Sequence, residues 1–577
     1  MNLRDRGLIA ALSVALAVLS VAALAPTFEA AGPIGPGPSE PLPTPPYVEG
    51  VLGHATNVSP FGARSGADRD LIALLFRGLV RLGPGNSVVG DLASRWEVDA
   101  SGAQWTFHLR PGLTWQDGVP LTADDVVFTV ATLSDPDYTG PGSTSWREVT
   151  AVALDPLTVE LDLATPLGGF LLAATQPIAP AHVLDQVDPA ELPDDPFGQQ
   201  PIGSGPFQLT SLDSRKAVLA VSAPLVVEPG AEGPQFATPK PTDSLATPRP
   251  TTASGQPIPY LAGIEFRFFD DVASLKAAWD AGTLDAASGL LPADAAALAA
   301  TPHASLLRYP GSTLLAVDLD LRPARPEFRD PAVRRALLEA IDRDSIVSQM
   351  FAGLGTRADS LIPPSSPIYN LAANPPVPYD VAAARAALVK AGWKQSGGSW
   401  VVKGGKTPLS IEVLSPEEAA NPIAYRVAAA VVADWKALGL SVKQVPLAST
   451  ELLGERLRPG GFQAAVIPLA VGLDPDLYPL LASTQTRTGG SNVSGLQDPS
   501  LDALLAAARA PGTDAKRAAA YQALETRLSS DLPILPIAFR DELVVVRDTL
   551  TGPTPRPVGT SGDRFWDVLT WRLADGR

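Results

Sequence analysis

Cysteine is absent from the 577 residues and histidine is scarce, with His54, His108, His182 and His303 standing far apart. Without thiols there are no disulfides, no thiol nucleophile and no cysteine-ligated zinc or iron–sulfur centre, and four dispersed histidines give no metal-ligand spacing. Positive charge is also short. Forty-four Lys and Arg against 61 Asp and Glu leave a formal net charge of −17, which excludes a general nucleic-acid binder. The common catalytic signatures are missing too: no Gly-x-x-x-x-Gly-Lys-Ser/Thr phosphate loop, no strand-linked Gly-x-Gly-x-x-Gly, no Gly-x-Ser-x-Gly elbow and no His-Glu-x-x-His helix. Any catalysis would rest on hydroxyls and carboxylates. The pairs Asp124/Asp125 and Asp270/Asp271 read as helix caps and loop acids. Ser204, in Ile-Gly-Ser-Gly-Pro, reads as part of a glycine-shaped turn. Neither a cofactor nor a metal is expected.

What is present is apolar residue, at 45% against 18% charged, enough for sizeable cores in two to four domains. Proline is in excess, 59 residues, roughly twice ordinary usage. After Arg4 and Arg6, the run Gly7 to Ala25 carries no charge and only Ser13 and Ser20 as polar side chains. As a helix it would span roughly 28 Å, so residues 1–25 read either as a membrane anchor or as a cleaved signal peptide; both readings export the chain. Residues 26–48 hold eight prolines and read as an extended linker. A second stretch, 224 to 259, has nine prolines, and its centre, 228–255, reads as a disordered surface insertion.

The remainder alternates helical and strand patterns. Leu71, Leu74, Leu75 and Leu79 predict a helix from Ala67 to Leu79, and Arg95–Val98 with Gln104–Arg110 predict a hairpin with Trp105, Phe107 and Leu109 on one core face. Thr122-Ala-Asp-Asp125 is a capping box opening a helix through Leu133. Helices are further expected after Asp330-Pro331 and after Asp380, over 422–438 closed by Gly439, and over Pro499–Ala510 and Ala515–Ser530. Strands are expected at Ser441–Val445, Ile534–Phe539 and Leu543–Val546. This is α/β organisation.

Several segments, in order, carry a resemblance. Leu75-Phe-Arg-Gly-Leu-Val-Arg-Leu82, Gly90-Asp-Leu-Ala-Ser-Arg-Trp-Glu-Val98, Trp105-Thr-Phe-His-Leu-Arg-Pro-Gly112, Leu121-Thr-Ala-Asp-Asp-Val-Val-Phe128, Pro201-Ile-Gly-Ser-Gly-Pro-Phe207 and Asp330-Pro-Ala-Val-Arg-Arg-Ala-Leu337 resemble the family 5 extracellular solute-binding proteins of ABC importers. Oligopeptide, dipeptide and nickel receptors belong to that family. Ala391-Gly-Trp393, Asn492, Asp498-Pro499 and Asp531-Leu-Pro-Ile534 extend the match, which covers about residues 49 to 577.

The resemblance implies a two-lobed periplasmic-binding-protein-like fold, type II of the large cluster C kind, with an extra subdomain in lobe one. Lobe one is expected at 49–90, 200–266 and 536–577, the subdomain at 91–199 and lobe two at 267–535, with crossovers near 264–270 and 533–539. It further implies a monomer without chemistry of its own, outside the cytoplasm, that hands a small solute or peptide to permease transmembrane subunits. A receptor for an oligosaccharide or metal complex, a signalling or scavenging receptor without a permease, and a Ser/Asp hydrolase remain as alternatives. Peptide-binding members carry Trp-x-x-Asp-Tyr, whose acid meets the ligand ammonium. The corresponding stretch here is Val471-Gly-Leu-Asp474-Pro-Asp476, which keeps the acid as Asp474 and loses the Trp, and whose Leu-Asp-Pro-Asp also has strong turn chemistry. Asn57, Ser59, Gly311 and Ser312 are the other ligand-facing positions the resemblance suggests.

Overall fold

The computed structural model describes residues 46–222, 261–487 and 490–574. The expected leader at 1–25, the linker up to residue 45 and the insertion at 228–255 lie outside the described residues. The end of the expected linker does not: Tyr47 and Val48 already belong to the first strand, β1 (Tyr47–Leu52). Among the described residues no helix is long and apolar enough to cross a membrane.

The lobe-one half of the central sheet is built on β1, which pairs in parallel with β10 (Gly263–Phe269) and β11 (Ala286–Ser288). Beyond β10 the antiparallel strands β9 (Lys216–Val221) and β8 (Phe207–Leu212) complete it. The lobe-two half is built on β14 (Ser410–Pro416), flanked in parallel by β15 (Ser441–Leu447) and β16 (Ala464–Ala470). Two long antiparallel strands, β12 (Ala304–Leu319) and β17 (Ile534–Arg547), run through both halves, and a short β13 (Gly355–Arg357) pairs with β17.

The passage between halves thus lies in β12 and β17, not at 264–270. There β10 is hydrogen-bonded on both sides within lobe one, and the following helix Val272–Asp280 buries Leu275 and Trp279 against Val48 and Val545. Residues 267–303, expected in lobe two, therefore pack on lobe one. The second passage falls in β17, of which the expected 533–539 is the lobe-two end. The β12–β17 register breaks between Tyr309 and Thr313. At that break a Cβ on Gly311 would sit 2.1 Å from the Arg540 carbonyl oxygen, so only glycine allows the two backbones to meet.

The expected subdomain holds a four-stranded antiparallel sheet of β4 (Ala93–Val98), β5 (Gln104–Leu109), β7 (Thr158–Leu163) and β6 (Val149–Asp155), and the capping box of Thr122 and Asp125 opens helix α2 (Ala123–Ser134), which packs on β6. Trp105, Phe107 and Leu109 are buried as expected, yet their core is continuous with that of lobe one. The first helix, α1 (Gly66–Leu75), stops short of Leu79 because the Leu75 carbonyl accepts from the backbone amides of Ser204 and Gly205. In lobe two the helix Pro422–Leu438 ends on Gly439 in the left-handed region at φ 100°. The expected strands at 534–539 and 543–546 are one strand.

Lobe one is tied together by Arg564, 2% exposed. It donates to Glu49 of β1 at 2.7 and 3.1 Å and to Asp70 of α1 at 2.7 Å, while the Tyr47 hydroxyl donates to Glu49. Burial, partly opposed by Arg564, raises the Asp70 pKa to about 6. Arg564→Ala leaves two buried carboxylates facing each other, and a loss of about 3–5 kcal/mol in denaturant unfolding is expected.

In lobe two, burial raises the pKa of fully buried Glu525 to about 7, although Asn374 and the Asn370 amide donate to it. The unfolded value is about 4.3. Between these two pH values the native state holds a proton that the unfolded chain has released, so stability falls as pH rises through the window. Glu525→Gln, uncharged throughout, is expected to remove up to about 3 kcal/mol of that fall, read as the difference between wild-type and variant unfolding curves at pH 5 and pH 8.

Candidate ligand-binding cleft

Between the halves lies a cleft of about 1430 Å³. Its lobe-one wall is the end of α1 and the hairpin of β2 (Val80–Leu82) and β3 (Val88–Gly90), continued by the C-terminal turns around Arg556 and Trp566. Its lobe-two wall is the loop after β16, Val471 to Asp476, with Arg509 and Arg517 behind it. The subdomain adds Trp146 and the Leu167–Gln176 region.

Asp474 lines this cleft. Both of its carboxylate oxygens lie 2.7 Å from Nη2 of Arg517, and the two side chains are 15% and 19% exposed. Burial works against the Arg517 charge, but the Asp474 carboxylate overcomes it and raises the arginine's pKa. Asp476 repeats the arrangement with Arg509 at 3.1 Å, and the Arg509 guanidinium sits 4.4 Å over the Tyr478 ring. Burial raises the Asp476 pKa, with Arg509 opposing it. The same residues form a turn: the Asp476 amide donates to the Asp474 carbonyl at 2.8 Å, and the Tyr521 hydroxyl donates to Pro475 O at 3.2 Å. Turn and cleft positions therefore coincide at Asp474.

The other four expected positions are not among the residues lining the cleft. Asn57 is buried, donates to Pro193 O, and is packed so closely that a Cβ on Gly198 would lie 1.9 Å from its side-chain oxygen. Ser59 accepts from the Phe61 amide. Gly311 sits at the strand passage. Ser312 accepts the Val471 amide on its carbonyl, which anchors the base of the Val471–Asp476 loop. Ser204 accepts from the Arg77 amide, Asp271 caps the helix Val272–Asp280, and Asp270 pairs with exposed His54. Among the described residues no three metal-ligating side chains cluster.

No sequence pattern marks the arginines of the cleft, although Arg77 and Arg110 fall inside the matched segments. In the structure Arg77 Nε lies 2.6 Å from Asp91 Oδ1, and Arg110 Nε donates to the Asp91 carbonyl at 2.8 Å, so two guanidinium groups flank one acid. Burial, and then the neighbouring Arg77 charge, lowers the Arg110 pKa. Arg556, 9% exposed, donates to the Gly83 carbonyl and lies 4.6 Å over the Trp566 ring; burial lowers its pKa to about 10.

The subdomain and lobe two meet across the mouth of the cleft. The Gly168 amide of the subdomain donates to the Arg509 carbonyl at 2.8 Å, and the Asp474 carboxylate rests against Gly169, where a Cβ would lie 2.0 Å from Oδ2. Because Arg517 fixes that carboxylate, it has no room to swing away. Gly169→Ala should wedge the mouth while leaving each lobe intact: we expect a larger radius of gyration in small-angle scattering and roughly tenfold weaker solute binding. The unliganded melting curve should stay within about 0.5 kcal/mol.

A family model of bacterial extracellular solute-binding proteins, family 5 middle, matches residues 87–492. "Protein XP55" of Streptomyces lividans is 29% identical over 521 residues, covering 88% of this chain and 86% of its own. The dipeptide-binding protein of Escherichia coli (strain K12) is 26% identical over 499 residues, covering 82% of this chain and 84% of its own. Among solved structures, the oligopeptide-binding protein AppA of Bacillus subtilis in complex with a nonapeptide superposes with a TM-score of 0.71 at 23% identity, covering 92% of this chain and 99% of that one.

Proposed function

The chain belongs to the family 5 bacterial extracellular solute-binding proteins, and from that premise we propose that it captures a peptide-like solute between its lobes and delivers it to the transmembrane subunits of an ABC importer. The observation that carries this reading is the cleft itself. It is walled by both halves of a sheet that, among the described residues, only β12 and β17 join, so one bend at the Tyr309–Thr313 register break moves one wall against the other. The chemistry is binding without turnover. Export places the protein outside the cytoplasm, and the apolar run 7–25, if retained, tethers it to the membrane.

A solute held by the closed form and absent from the unfolded chain must stabilise the protein by linkage, about 2.7 kcal/mol at a hundredfold excess over Kd. The purified full chain is first examined by native mass spectrometry for retained solute, then titrated with the identified compound. A rise in melting temperature with compaction in small-angle scattering is the expected result. Binding without compaction would refute the hinge. Loaded protein that fails to stimulate ATP hydrolysis by the importer in proteoliposomes would favour a receptor without a permease.

A further inference from the structure

The cleft carries a charge opposite to that of the protein around it. Among the described residues it is lined by eight arginines and five aspartates, with no lysine, histidine or glutamate, a surplus of three positive charges. The whole chain is at −17. The surplus is not evenly spread. On the lobe-two wall Arg509 and Arg517 are neutralised by Asp476 and Asp474. On the lobe-one wall Arg77 is paired with Asp91, and the Asp563 and Asp567 carboxylates act on Arg556 from a distance, but among the described residues the hydrogen bonds of Arg69, Arg110 and Arg556 go to carbonyl oxygens: those of Ser65, of Asp91, and of Gly83 and Asp563. Carbonyls orient a guanidinium without cancelling its charge. Arg77 Nη1 and Arg556 Nε are in addition buried donors without a partner.

We infer that the solute is an anion, a peptide-like molecule with at least two more acidic than basic groups, whose carboxylates lie on the lobe-one wall formed by Arg69, Arg110 and Arg556. This rests on the receptor reading above. Arginine on that wall offers paired N–H donors matched to a carboxylate, and a cleft with low-dielectric walls concentrates the attraction. The same geometry denies the usual role to a ligand ammonium. Asp474, the acid expected to meet one, already gives both oxygens to Arg517 and is closed in by Gly169. A free amino terminus is therefore not required of the solute.

The test uses the full chain and four probes: tri-glutamate, N-acetyl-tri-glutamate, tri-alanine and tri-lysine, titrated by calorimetry at low and moderate salt. Tri-glutamate should bind at least tenfold tighter than tri-alanine, with tri-lysine weakest. Acetylation should cost less than threefold, and the acidic preference should shrink as salt is raised. Arg110→Gln should reduce the tri-glutamate to tri-alanine affinity ratio roughly tenfold and Arg110→Lys should restore part of it. Arg69→Gln serves as the second variant should Arg110→Gln lower the melting temperature. Arg385, which holds the Leu438 and Ala437 carbonyls in lobe two, is the control, and its Gln variant should leave the ratio unchanged.

Equal or tighter binding of tri-alanine or tri-lysine overturns the inference and leaves the receptor reading standing, as does native mass spectrometry that finds a neutral or cationic retained solute. A retained anion supports the inference even where no tripeptide binds. If nothing is retained and no probe binds, the inference falls together with the receptor reading.

Discussion

Arg564 holds the lobe-one wall of the cleft in place. Its guanidinium joins residues 515 and 494 positions away, Glu49 on the central strand and Asp70 on the first helix, in a site that excludes water. Two carboxylates and one guanidinium leave the group one charge short of neutrality. The Tyr47 hydroxyl and the raised pKa of Asp70 moderate that deficit. Such a cluster contributes little net stability, because desolvating three charges costs nearly as much as their attraction returns. Its effect is on registry. It fixes where the C-terminal turns dock against β1 and the first helix, where Phe565 and Trp571 pack as a tilted pair at 5.4 Å and Trp571 meets Tyr47 edge-on. Arg556 and Trp566 ride on those turns, so the position of a cleft wall is set by an ion cluster buried behind it.

The second constraint is the meeting of β12 and β17. Long paired strands are stiff, and a receptor that opens needs one weak point in them. The sequence Pro310-Gly311-Ser312 supplies it. Proline removes a ladder donor, glycine permits contact with the Arg540 carbonyl, and the register is lost for three residues before pairing resumes at Thr313. Arg308 and Asp541 pair beside the break, and the Val558 amide donates to the Pro310 carbonyl, so the same point touches the C-terminal turns. Hinge and cleft wall are thereby one connected structure.

Local signals were legible in the sequence and distant ones were not. Thr122 with Asp125, Asp330 before Pro331, Asp380 and Gly439 satisfy backbone groups within four residues, so spacing alone predicts them. The crossover near 264–270 failed for the opposite reason. A strand's place in a sheet depends on its partners, and those of β10 are β1, 217 positions before it (Tyr47 opposite Ile264), and β9, across the 223–260 stretch. The longest strand of the fold, β12, carries Pro310-Gly311 inside it, a pair that breaks strand spacing, so no sequence pattern predicts it whole. Asp474 could be found because a family motif marks it. Its partner Arg517 lies 43 positions on, in an ordinary helix, and no pattern joins the two.

Arginine, not lysine, is what allows this cleft to stay basic. A half-buried ammonium held only by carbonyls would sit close to losing its proton, whereas a guanidinium whose pKa is lowered by burial to about 10, as at Arg556, is still charged at neutral pH. The planar group can also spend some of its donors on Gly83 or Asp91 carbonyls, which fix its direction, and keep others for a solute. Fixed direction matters because side chains ordered before binding lose little entropy when the solute arrives. Asp474 and Arg517 act in the complementary sense. Each cancels the other on the lobe-two wall, so that wall adds shape without a competing field, and the surplus positive charge of the cleft lies on lobe one.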